Sequence, residues 1–283
     1  MTPSVSTSVA VVTDSTVYMS DALATELGVR RVPLSITFGG ETMSELTVEP
    51  KAFYGRLRDT DERPTTSQPS PGDFLAAFTE ARVGGADAVL CITCASAISG
   101  THQSATLAAG MADIPVDVVD SGTISGGLLL VVGEVARAVR GGASRAEAVA
   151  LAQSMAGRVW STFTTDSLKL LAAGGRLADD ATEADGVPVL AMEGQAIRSL
   201  GAARSIEDAV RWQADVIAES AAVFPTRVTV GHGDVADLAD ALESALTGRP
   251  GVQGIDRYVV GPVVGAHAGA GNFGASYLSP PAQ

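Results

Sequence analysis

The stretch ISGTHQSA, residues 98–105, sets hydroxyls at Ser99 and Thr101 on either side of Gly100, after an apolar run and before a helical pattern. Three chemistries use such a turn: a serine nucleophile, a nucleotide-phosphate cradle, or a cup for another anion. A nucleophile needs a nearby base and a sharp G-x-S-x-G elbow. AISGT lacks the first glycine, and of the three histidines, His102, His232 and His267, only His267 falls in another glycine-rich loop. A nucleotide cradle needs G-x-x-x-x-G-K-[ST], which the sequence does not contain. The anion cup needs only what is present: the unpaired N–H groups and positive dipole end of the helix after Gly100, with Ser99 and Thr101 as rotatable donors. On the residues alone, helix capping by Ser99 and Thr101 explains them as well as ligand contact does.

Similar hydroxyl-rich segments end other apolar runs: TDST at 13–16, TTSQPS at 65–70 and DSGTISGG at 120–127. In an open parallel sheet such segments converge at the carboxyl ends of the strands, where ligands bind. Asp14 and Asp120 each precede a serine there and are expected to cap the next turn rather than hold a metal. The only cysteines, Cys91 and Cys94, lie in a run that reads as a buried strand. Their spacing points them to opposite faces, so a disulfide would distort the strand, and one pair is too few ligands for structural zinc. GAGNFG at 269–274 matches G-x-G-x-x-G formally, but too few residues follow for a crossover helix and second strand. No cofactor or metal is expected.

With 32 acidic against 19 basic residues and a net charge of −13, the surface repels a phosphate backbone, which disfavours nucleic acid. The N-terminal MTPSVSTSVAVV has no basic residue ahead of its apolar run and reads as a first strand rather than a secretory signal. GGLLLVVGEVA is interrupted by Glu134 and Arg137 lies just beyond it, well short of a bilayer span. These features predict a cytoplasmic protein with at most transient membrane contact.

The length of 283 residues suits two modest domains. In the first half, strands VAVVT (9–13), RVPLSITF (31–38), ADAVLCIT and VDVVD alternate with helices, which predicts a parallel sheet with right-handed crossovers. Ser20 and Gly28 bound one helix, Lys51 to Arg58 form another, and Ser70 with Asp73 opens a third by a capping box. The three prolines of PTTSQPSP deny it a helix or a central strand. SRAEAVALAQSM is a helix joining the halves. Beyond it come WSTFTT, a short helix, a hairpin VPVLAMEGQAI turning at Glu193-Gly194, and two helices interleaved with RVTVGH and IDRYVVG. The expected architecture is α/β with two domains: a parallel α/β domain at 1–160, an α+β domain at 161–283, a ligand cleft between them, and a short glycine-rich tail from His267.

VVTDST with VPLSITFGG, PTTSQPSPGDF, ISGTHQSA, VVDSGTISGG and DSLKLLAAGGRL, followed by a histidine in a glycine-rich tail, resemble the DegV family in that order across nearly the whole chain. The resemblance implies a long-chain fatty acid held in a tunnel between two domains. It further implies a non-enzymatic carrier that presents the acid to a fatty-acid kinase catalytic subunit for phospholipid synthesis. The family's head-group site maps onto Thr66, Ser99, the backbone of Gly100 and Thr101, and His267, with Arg176 and Arg204 at basic positions nearby. Such donors suit a carboxylate, which only accepts. The alternative is a serine-dependent hydrolase or transferase, Ser99 with His267, acting on a small apolar carboxylate or ester.

Overall fold

The computed structural model describes residues 8–173, 177, 185–193 and 196–280. The elements run β1 (Val9–Asp14), α1 (Asp21–Leu27), β2 (Val29–Val32), β3 (Ser35–Phe38), β4 (Glu41–Ser44), α2 (Pro50–Asp59), β5 (Thr65–Ser67), α3 (Pro71–Val83), β6 (Ala88–Thr93), α4 (Thr101–Ala109), β7 (Val116–Asp120), α5 (Gly126–Arg140) and α6 (Arg145–Met155). Then follow β8 (Val159–Thr164), α7 (Leu168–Ala173), β9 (Val187–Glu193), β10 (Ala196–Ala203), α8 (Ile206–Val223), β11 (Thr226–His232), α9 (Ala236–Leu246), β12 (Val252–Val259), α10 (Pro262–Ala268) and β13 (Phe273–Leu278). The fold is mixed α/β, a parallel-sheet N-terminal region followed by a separate sheet-rich C-terminal region.

In the N-terminal region a four-stranded parallel sheet has the order β2-β1-β6-β7. Strand alternation sends Val11, Leu90 and Ile92 to one face, against α1, α5 and α6, and Val12, Val89 and Cys91 to the other, against α3 and α4. Cys94 belongs to the first of these cores and Cys91 to the second; both are buried and free, as their spacing predicts. The helix starts follow the expected chemistry. Ser20 caps α1 and left-handed Gly28 ends it, while Ser70 with Asp73 and Ser144 with Glu147 form capping boxes.

The C-terminal region is a six-stranded sheet, β10-β9-β8-β13-β11-β12, antiparallel except for the β11-β12 edge. Helices α8 and α9 cover one face through Val210, Ile217, Leu242 and Leu246. The apolar helix α5 also packs on β8, β11 and β13, so it is buried by both regions at once. That double burial explains why GGLLLVV is apolar around its whole circumference. Among the described residues no helix is long and apolar enough to cross a membrane.

Two expectations are corrected. RVPLSITF is two strands rather than one: β2 ends at Val32 in the parallel sheet, and after Pro33 the chain leaves to form β3 in a separate three-stranded antiparallel sheet, β4-β3-β5. His267 lies on the helix α10 rather than in a glycine-rich loop, and the tail after it ends in β13, a central strand between β8 and β11. Gly274 reads as a turn residue but is required by packing: a Cβ there would lie 2.3 Å from the Thr162 carbonyl oxygen. Thr65–Ser67 is paired only at a sheet edge, where its flanking prolines are tolerated. The hairpin of β9 and β10 is present, with Glu193 opposite Ala196. The small sheet and α2 pack against α10 through Ile36, Phe53, Tyr54 and Ala266, which ties residues 35–67 to the far end of the chain.

Candidate functional site

The carboxyl ends of β1 and β6, the strand β5 and the helix α10 meet around a cavity of about 220 Å³. Thr66, Ser99, Gly100 and His267 line it together, although up to 201 residues separate them in the chain. Thr66 Oγ1 lies 2.9 Å from His267 Nε2. Ser99 Oγ lies 2.8 Å from Thr101 Oγ1 and accepts the Thr101 N–H at 3.3 Å. Thr101 itself is fully buried behind Ser99 and does not line the cavity. Arg204 is exposed just past β10, outside the cavity lining, and Arg176 lies outside the described residues.

Thr16, Gln68 and Cys94 also line the cavity; Thr16 lies in the TDST turn and Gln68 in TTSQPS, but neither segment says which of its residues faces the cavity. Gln68 is two residues past Thr66, and the period-two rule for an extended strand would have found it. Its amide crosses so close over Gly100 that a Cβ there would sit 2.4 Å from Gln68 Nε2. Thr16 and Cys94 are placed by Asp14. This buried carboxylate accepts from the Thr16 N–H at 3.1 Å, Thr16 Oγ1 at 2.5 Å and the Cys94 N–H at 2.7 Å. Burial pushes its pKa up, against the lowering effect of those bonds. Asp120 accepts from the Gly122 N–H at 2.9 Å and the Ser96 N–H at 3.2 Å. Both acids therefore cap the next turn as predicted and also tether the loop between β6 and α4.

The other histidines stand apart from the lining. His102 Nδ1 is 3.1 Å from Thr93 Oγ1. His232 ends β11, and burial pushes its pKa down. Among the described residues no cluster of three or more metal-ligating side chains forms.

A second cavity, of about 90 Å³, lies between the six-stranded sheet, α10 and the residues Ile124 and Ser125 that lead into α5. Ile124, Leu171, Ile197, Val264 and Ala268 line both spaces, which adjoin at this neck. The walls of the second cavity include Phe163, Met192 and Phe273. The two spaces thus pair a mouth rich in hydrogen-bonding groups with an apolar interior. The family model for uncharacterised proteins of the DegV family matches residues 8–279. The chain belongs to the DegV family. It is 32% identical over 271 residues to a DegV domain-containing protein of Streptomyces coelicolor, spanning 94% of this chain and 96% of that protein. Among solved structures it is similar to a fatty-acid-binding DegV family protein from Thermus thermophilus, with a TM-score of 0.88, 29% identity and coverage of 96% and 99% of the two chains. It is also similar to DegV, a fatty acid binding protein from Bacillus subtilis, with a TM-score of 0.87, 29% identity and coverage of 97% and 100%.

Proposed function

We propose that this protein is a cytoplasmic, non-enzymatic carrier that binds one long-chain fatty acid between two domains divided near residue 160. It would present the carboxylate to a fatty-acid kinase subunit for phospholipid synthesis. The observation that supports this most is that the same five residues line both the polar mouth and the apolar chamber, as a single acyl channel would require. The carboxylate would sit among Thr66, Ser99, Gln68, His267 and the backbone at Gly100 and Thr101, all donors or convertible to donors. Arg204, exposed past the end of β10 and outside the cavity lining, suits a protein partner better than the carboxylate, and Arg176 is proposed with it from the family pattern alone. Fatty acid binding by similar DegV proteins supports the same reading. Hydrolysis by Ser99 with His267 is less well supported, since Nε2 of the histidine faces Thr66 and the Ser99 hydroxyl pairs with Thr101.

The chain of the ligand should dominate affinity. At about 0.8 kcal/mol per methylene, some fifteen buried methylenes are worth ~12 kcal/mol before binding costs are subtracted, against ~1.5–3 for one charge-assisted hydrogen bond. Native mass spectrometry of the freshly purified protein, with extraction and identification of what it releases, is expected to find one fatty acid per chain. A clean unliganded mass that also refuses added palmitate and oleate would overturn the proposal. Ser99→Ala and Thr66→Ala are each expected to weaken palmitate binding by roughly ten- to a hundredfold without abolishing it. Complete loss from either would show that the head group, not the chain, holds the ligand.

A further inference from the structure

One wall of the chamber is an aromatic ring fixed on several sides. Tyr258 lies on β12 directly opposite Gly231 of β11. Its ring lies over that glycine so closely that a Cβ on Gly231 would sit 2.1 Å from Tyr258 Cζ. A Cβ on Gly126, the first residue of α5, would come within 2.7 Å of the phenol oxygen. Ser125 Oγ donates to that oxygen at 3.3 Å, from a residue held at φ 58, where non-glycine residues are uncommon. On the other side Tyr18 stacks against the ring, with centroids 6.4 Å apart and planes 12° from parallel. Tyr18 in turn accepts the Val264 N–H at 3.0 Å and donates to Glu45 at 3.0 Å.

Behind the ring is an outer groove of about 550 Å³, whose apolar walls include Tyr18, Leu46, Leu129, Val259 and Pro262. Among the described residues Tyr258 is the only one that lines both this groove and the chamber. Tyr258 thus stands between an apolar space and a larger one that is partly apolar. We infer that the Tyr258 ring is the end wall of the acyl chamber and sets the longest chain the protein accepts. This inference rests on the fatty-acid reading above. A chain longer than the chamber must either leave the methylenes next to its carboxylate in water at the mouth or displace a ring that two tight glycine contacts and a stack hold in place. Without the ring, the extra methylenes pass into the groove and are buried there.

The test measures affinities for a saturated series from laurate to lignocerate in wild type, Tyr258→Ala and Tyr258→Phe. Wild type and Tyr258→Phe are expected to share one cut-off length. Tyr258→Ala is expected to bind the acids just past that cut-off at least tenfold tighter than wild type, the worth of roughly two newly buried methylenes. An unchanged cut-off in Tyr258→Ala, with normal palmitate binding, overturns the end-wall inference and leaves the fatty-acid reading intact. Wild type that binds no acid in the series overturns both. Should Tyr258→Ala fail to fold, wild type loaded with a stearate carrying a diazirine at its terminal carbon answers the same question. Cross-linking at Tyr258 is expected, and labelling that misses Tyr258 overturns the inference.

Discussion

Val264→Trp is expected to cut palmitate affinity at least a hundredfold while leaving the fold in place. Val264 is half-buried on α10 and lines both the mouth and the chamber. An indole there fills the neck rather than a packed core, so the overpacking cost is at the low end of about 1–3 kcal/mol. The backbone N–H of residue 264 still reaches Tyr18 Oη. What is lost is passage to the chamber: with about half of the chain's methylenes denied burial, roughly 5–6 kcal/mol disappears, several powers of ten in affinity. Val264→Ile, which nearly conserves volume, should stay within a few-fold of wild type. Calorimetry with palmitate, alongside circular dichroism to confirm folding, decides the matter. Wild-type affinity in Val264→Trp would mean that the chain does not pass this neck.

The parts of this architecture written in local chemistry were readable from the residues. Short apolar runs mark β1, β6 and β7, and serine-led capping boxes mark the starts of α3 and α6. The hydroxyl turn at Ser99 and the proline-bound edge at Thr66 announce themselves because special backbone needs special residues. Features decided by distant packing were not readable. Nothing within RVPLSITF shows that its two halves join different sheets. FGASYL looks like a loop because its glycine answers a strand 110 residues earlier in the chain, at Thr162 and Phe163. Thr101 turns inward because its hydroxyl finds Ser99, a choice that capping preferences leave open. The chamber walls run from Ile124 to Ser276, so no short window of sequence contains them.

Glu45 is the residue whose loss should cost the most stability, and its effect should depend on pH with a definite sign. Its side chain is 4% exposed and accepts from Tyr18 Oη at 3.0 Å, from the Val263 N–H at 2.9 Å and from Ser15 Oγ. It thereby joins the end of β1, the segment after β4 and the start of α10. Burial pushes the carboxyl up to about 7, opposed by the bonds from Ser15, Val263 and Tyr18 and assisted by the nearby charge of Asp14. In the unfolded chain it titrates near 4.5, so the native state holds the proton more tightly. The associated stability is fully present below pH 4.5 and is lost as pH rises through about 7, a change of about 3 kcal/mol. Glu45→Gln mimics the protonated form: its carbonyl accepts from Tyr18 and Val263, and its amide donates to Ser15. It should match wild type in melting temperature near pH 5 and exceed it by several degrees at pH 8. A difference that stays constant from pH 5 to pH 8 would refute the assignment. Glu45→Ala strands a hydroxyl, a phenol and a backbone N–H together, at a cost of roughly 3 kcal/mol or more near pH 5 that shrinks toward pH 8 as wild type loses its own stabilisation. Since Val263 lines the mouth and Val264 the neck, it should weaken acyl binding as well.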